Sequence, residues 1–182
     1  MEYREYGSSG DVLSIVAFAG IVVSNETSED SDRYVSWAID QGINYFDVAP
    51  SYGNAQNMLG PALEPYRKDV FLACKTNKRD ARTAQAELEE SLRLLRTDHF
   101  DLYQLHAMSS EEDLEIATGS GGALEVLVRA RDAGKIRHLG FSAHSAEVAI
   151  ELMNRFEFDS VLFPVNFTTW YESGFGSQIM AE

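Results

Sequence analysis

Gly42-Ile43-Asn44-Tyr45-Phe46-Asp47-Val48-Ala49-Pro50-Ser51-Tyr52-Gly53 is the stretch on which the fold turns. A short apolar run ends on an acid, and a tyrosine follows in a loop beside a glycine that permits a tight turn. A carboxylate closing a buried strand needs a partner. Two later runs finish in the same way: Val70–Cys74 leads into Lys75, and Phe100–Leu105 leads into His106. An acid, a phenol, an amine and an imidazole are thus delivered from three successive strand ends.

Working outward, strand-like runs at Leu13–Gly20, Asn44–Val48, Val70–Cys74, Phe100–Leu105, Arg137–Phe141 and Ser160–Val165 alternate with helical patterns. Asp32–Gln41, Ala55–Leu63, Thr83–Leu95, Ala123–Ala133 and Ser145–Arg155 carry apolar residues at helical spacing. Gly42 and Gly134 stand where a helix C-terminus favours glycine, and Ser145 is placed to cap the last of these helices. Met108–Gly122, with Gly119, Ser120, Gly121 and Gly122 together, reads as a flexible loop, and no linker divides residues 1–182.

Strict alternation implies parallel strands with right-handed crossovers. A doubly wound dinucleotide-binding sheet calls for Gly-x-Gly-x-x-Gly after its first strand. The chain instead has Ala19-Gly20-Ile21-Val22-Val23-Ser24 there. Polar residues at several strand ends match a (β/α)8 TIM-type barrel, whose sites collect on the C-terminal face. Six strands are found, preceded by a short hairpin from Tyr3–Tyr6 to Val12–Ser14, where a barrel has eight. Residues 168–182 read as a loop and the start of a sixth helix. The expectation is an incomplete barrel, about six of eight strand–helix units, forming one partial domain.

The 182 residues are 45% hydrophobic, enough for one sizeable core. Fifteen Lys and Arg face 29 Asp and Glu, a formal net charge of −14. That balance disfavours nucleic acid and anionic membrane as partners. The lone Cys74 excludes an internal disulfide, and no Cys/His spacing suits a metal. No signal peptide or bilayer-spanning run is evident, so a cytoplasmic protein is expected.

The four polar residues make chemical sense together. A tyrosine with a pKa of ~10 is a poor proton donor at neutral pH. A nearby ammonium lowers that value, and Lys75 in a partly buried pocket needs Asp47 to stay charged. His106 is expected to donate a hydrogen bond to the same substrate oxygen. Singly, Asp47 with Lys75 also fits a structural ion pair, His106 a core histidine and Tyr52 loop packing. Jointly, at consecutive strand ends, they describe a device that protonates a carbonyl as it is reduced.

The segment 42–53, together with Leu59–Leu63, Leu72–Thr76, Leu88–Leu92, Asp101–His106 and Gly134–Ser142, resembles the aldo-keto reductases, in order along nearly the whole chain. The resemblance implies a (β/α)8 barrel, NADP(H) or less often NAD(H) as cofactor, and a small-molecule carbonyl substrate. It implies Tyr52 as proton donor, Lys75 and Asp47 as its supports and His106 as the residue orienting substrate. Ser142, His144 and Asn166 would hold the nicotinamide carboxamide, with Gly20 and Asp47 also at the cofactor. In that family the last two strands carry most phosphate contacts, so a C-terminally truncated member is expected. The competing expectation is a barrel fragment without turnover, or a cofactor-sensing module.

Overall fold

The computed structural model describes residues 1–172 together with 176, 178 and 179. β1 (Tyr3–Glu5) and β2 (Val12–Ser14) form an antiparallel hairpin. The main sheet is parallel and its strands neighbour one another in chain order. They are β3 (Phe18–Ala19), β4 (Tyr45–Asp47), β5 (Phe71–Thr76), β6 (Phe100–Met108), β7 (Ile136–Ala143) and β8 (Ser160–Leu162). Helices α1 (Ser28–Asp40), α2 (Ala55–Leu63), α3 (Ala81–Leu94), α4 (Glu111–Thr118), α5 (Ala123–Asp132), α6 (Ala146–Arg155) and α7 (Phe167–Glu172) supply the crossovers. The result is a curled half-barrel, an incomplete (β/α)8 barrel, as the alternation predicts.

Strand alternation sorts the side chains into two layers. Leu72 and Cys74 of β5, with Tyr103 and Leu105 of β6 and Leu139 and Phe141 of β7, face the helices in the main core. Phe71, Ala73 and Leu102 point to the concave side, where Leu13 of the hairpin packs on them beside Tyr6 and Tyr45. Lys75 and Gln104 continue that inner row and pair in register. The hairpin floors the barrel, and the polar row rises toward the other end.

Several boundaries differ from expectation. Leu13–Gly20 is not one strand, because Asn44 captures the hairpin with its side chain. Its amide accepts from Ser14 N at 2.7 Å and donates to Val12 O at 2.8 Å, and the sheet strand begins afresh at Phe18. α1 starts at Ser28, ahead of Asp32, since Thr27 caps it by accepting from Asp30 N at 3.1 Å. α3 likewise begins at Ala81 under the cap of Asp80. The expected loop 108–122 contains α4, capped where Ser110 Oγ accepts from Asp113 N at 3.1 Å, with Glu111, Glu112 and Asp113 facing the positive end of the helix dipole. Gly42 and Gly134 do end α1 and α5, at φ of 82° and 76°. Of the expected last loop and helix, 173–175, 177 and 180–182 lie outside the described residues; α7 begins at Phe167.

Candidate active site

Asp47 is the last residue of β4, Lys75 lies one residue from the end of β5 and His106 near the end of β6. Parallel pairing brings all three to one rim, and the turn after β4 returns Tyr52 over them. Lys75 is 1% exposed and its Nζ donates to Asp47 Oδ1 in a short ion pair. Burial pushes the Asp47 carboxyl upward and the Lys75 ammonium opposes it. Asp47 Oδ2 is buried without a partner. The Lys75 ammonium also stands over the Tyr52 ring, 5.5 Å from its centroid. Tyr52 meets His106 edge to face at 6.1 Å. All four expected catalytic residues therefore form one cluster.

His106 sits at an irregularity in β6. The β6–β7 register shifts between Leu105 and Met108, and Ala107 adopts φ of 53°, a region that non-glycine residues seldom occupy. This turns the ring toward Tyr52, while Ala107 N donates to Ser142 Oγ at 2.7 Å. Burial first, then the charges of Lys75 and Arg79, drive the imidazole down to about 4. His106 is neutral at physiological pH.

The four expected cofactor positions divide. Ser142, at the end of β7, is buried within the cluster's reach through Ala107. His144 is exposed next to it and adds its charge to the field at His106. Gly20 lies against β4: a Cβ there would stand 2.9 Å from Asp47 O and 2.9 Å from Val48 Cβ, so its smallness is consumed by packing. Asn166 is exposed and caps α7, its Oδ1 accepting from Thr169 N at 3.0 Å, and the structure shows no contact between it and the catalytic four.

Three neighbours escape a sequence reading. Asn77 places Oδ1 2.9 Å from His106 Nδ1. Glu87 accepts from Asn77 N at 2.7 Å and from the Thr76 hydroxyl at 2.7 Å. Arg79 pairs with Asp113 at 3.0 Å and donates to His106 O at 2.7 Å, fastening α4 to the rim. Asn77 was findable, as a polar residue two places after Lys75 on the C-terminal face of a barrel. The largest groove lies at the opposite end, lined in part by Arg67, Asp101 and Arg137. Its charges are already spent on one another, with Arg67 and Arg137 at 3.0 and 2.9 Å from Asp101. Among the described residues nothing is placed to hold a metal ion, and no helix is long and apolar enough to cross a membrane.

The family model for the Aldo/keto reductase family matches residues 22–178. The chain belongs to that family. It is 34% identical over 166 residues to aldo-keto reductase YhdN of Bacillus subtilis, covering 81% of this chain and 48% of the relative. Against L-galactose dehydrogenase of Arabidopsis thaliana identity is 27%, covering 85% and 52%. The chain spans about half the length of the curated relatives it matches. Among solved structures, a putative aldo-keto reductase from Pseudomonas aeruginosa superposes with a TM-score of 0.82 at 22% identity, covering 93% of this chain and 70% of that one. The holo form of aldo-keto reductase AKR11C1 from Bacillus halodurans gives 0.79 at 26% identity, covering 91% and 58%.

Proposed function

We propose that the protein is an oxidoreductase that reduces an aldehyde or ketone to an alcohol with NAD(P)H, Tyr52 giving the proton. The observation that carries this is the packing of the buried Lys75 ammonium against the Tyr52 ring, with Asp47 behind it and His106 beside it. A phenol giving up its proton acquires negative charge, and a fixed ammonium in a water-poor site stabilises that charge as it develops. Asp47 keeps the ammonium charged despite its burial. Neutral His106 orients the substrate beside the phenol.

The residues present fit the nicotinamide end of such a cofactor. Asp47 Oδ2 is a buried acceptor without a partner, suited to a ribose hydroxyl. Ser142 Oγ accepts from Ala107 and keeps its own proton for a carboxamide oxygen. When bound, the cofactor supplies the hydride. NADP(H) is preferred over NAD(H) in this reading, and a cytoplasmic location accompanies it. The relatives' own names include L-galactose dehydrogenase and 6-dehydroglucose reductase, both of them oxidoreductases in name.

Tyr52→Phe tests the assignment, because the ring and its contact with Lys75 survive while the proton is lost. NADPH oxidation with a panel of small aldehydes is expected to fall by roughly 100-fold or more. Turnover that matches the parent chain would overturn Tyr52 as the proton donor.

A further inference from the structure

β5 ends at Thr76, and the next residue turns its side chain onto the catalytic histidine. Asn77 Oδ1 stands 2.9 Å from His106 Nδ1, a hydrogen bond that requires the proton on Nδ1. Asn77 is itself held in place. Glu87, reaching across from α3, accepts from Asn77 N at 2.7 Å and from Thr76 Oγ1 at 2.7 Å, and Thr76 Oγ1 accepts from Lys78 N at 3.1 Å.

His106 has one ring proton to place, since Lys75 and Arg79 keep the second away. With that proton on Nδ1, Nε2 is a bare acceptor. Nε2 makes no hydrogen bond to any described residue, and the ring stands edge to face with Tyr52.

We infer that Asn77 is a positioning residue that fixes the tautomer of His106, and that the site therefore prefers carbonyl substrates bearing a hydroxyl on the adjacent carbon; this rests on the reductase reading above. The carbonyl oxygen is an acceptor and takes its hydrogen bond from Tyr52. A lone pair on Nε2 has nothing to offer that oxygen. It does match a neighbouring hydroxyl, which donates to Nε2 and sets the carbonyl's orientation over Tyr52. A substrate with methyl in place of that hydroxyl leaves Nε2 unpaired, the arrangement a polar site rejects. This departs from the sequence expectation that His106 donates to the substrate oxygen. The expectation needs the proton on Nε2, and Asn77 draws it to Nδ1.

The test reads the ring directly and needs no turnover. In a long-range proton–nitrogen correlation spectrum of the 15N-labelled chain at pH 7, His106 is expected to show a protonated Nδ1 and an unprotonated Nε2. Asn77→Leu is expected to move the proton toward Nε2. Titration with 1-hydroxypropan-2-one should shift the Nε2 resonance and bind about 3- to 10-fold more tightly than butan-2-one, its methyl isostere, and the Leu variant should lose that advantage. A protonated Nε2 in the parent chain, an unchanged tautomer in the variant, or equal binding of the two ketones would each overturn the inference. Should the variant not fold, the parent spectrum and the ketone pair decide alone. A chain with this tautomer and this selectivity but no NADPH-linked turnover would instead count against the reductase reading.

Discussion

At the residue scale, the neutral imidazole of His106 links the site to stability. The unfolded chain takes up a proton below the ordinary value of 6.5, whereas burial and the charges of Lys75 and Arg79 hold the folded ring unprotonated down to about 4. Across that window the unfolded state binds more protons, so stability declines as pH falls from 6.5 toward 4. His106→Asn is expected to flatten that part of the pH dependence of the urea midpoint. A variant that keeps the parent's slope there would show that other groups dominate acid sensitivity. His106, Lys75, Asp47 and Tyr52 were legible in the sequence because each ends or follows an apolar run, and parallel pairing can only gather such ends on one rim. Asn77 and Glu87 were not, because they act through side chains meeting across 10 and 29 sequence positions. Asn166 illustrates the reverse: a polar residue after a strand looked like a ligand contact, while locally it competes to cap the next helix.

At the element scale, α4 shows how local chemistry overrides composition. The glycines at 119, 121 and 122 suggested a loop, yet the eight residues before them form a helix because Ser110 opens it and three acids line its first turn. Leu114 and Ala117 then bury against the neighbouring elements. Arg79 pairs with Asp113, so this helix is also tied to the strand end that carries His106. Ser110→Ala is expected to cost about 1 kcal/mol in thermal or urea unfolding. A cost near zero would mean that α4 is held by Arg79 and its apolar face alone. The expected strand Leu13–Gly20 failed for a comparable reason. Its apolar run is continuous, and periodicity holds no information about Asn44, which takes the hairpin's backbone bonds from 30 residues away.

At the scale of the whole molecule, the floor of the half-barrel is held by charge. Asp101, 5% exposed, accepts from Leu72 N at 2.9 Å and sits 3.0 Å from Arg67 and 2.9 Å from Arg137. Arg137 continues to Asp11 of the hairpin at 3.0 Å, and His138 reaches the same carboxylate at 3.1 Å. Burial pushes Asp11 up, but the bonds from Arg137 and His138 outweigh it and hold the acid below its usual range. Removing the central acid strands two cations, one of them Arg67 at 13% exposure. Asp101→Asn is expected to destabilise by ~3–5 kcal/mol, read from the urea midpoint. A loss under ~1 kcal/mol would mean that the two arginines find water instead.

The chain-ordered sheet also has a meaning in time. Each strand from β4 to β8 pairs with the one made just before it, so during synthesis every new strand finds its neighbour already in place. Local pairing of this kind keeps loop-closure costs low. Asp11 is different: it emerges early and waits 126 residues for Arg137 and one more for His138. The hairpin is therefore bolted to the floor only after β7 has been made, which makes those ion pairs a late latch on a barrel assembled in sequence.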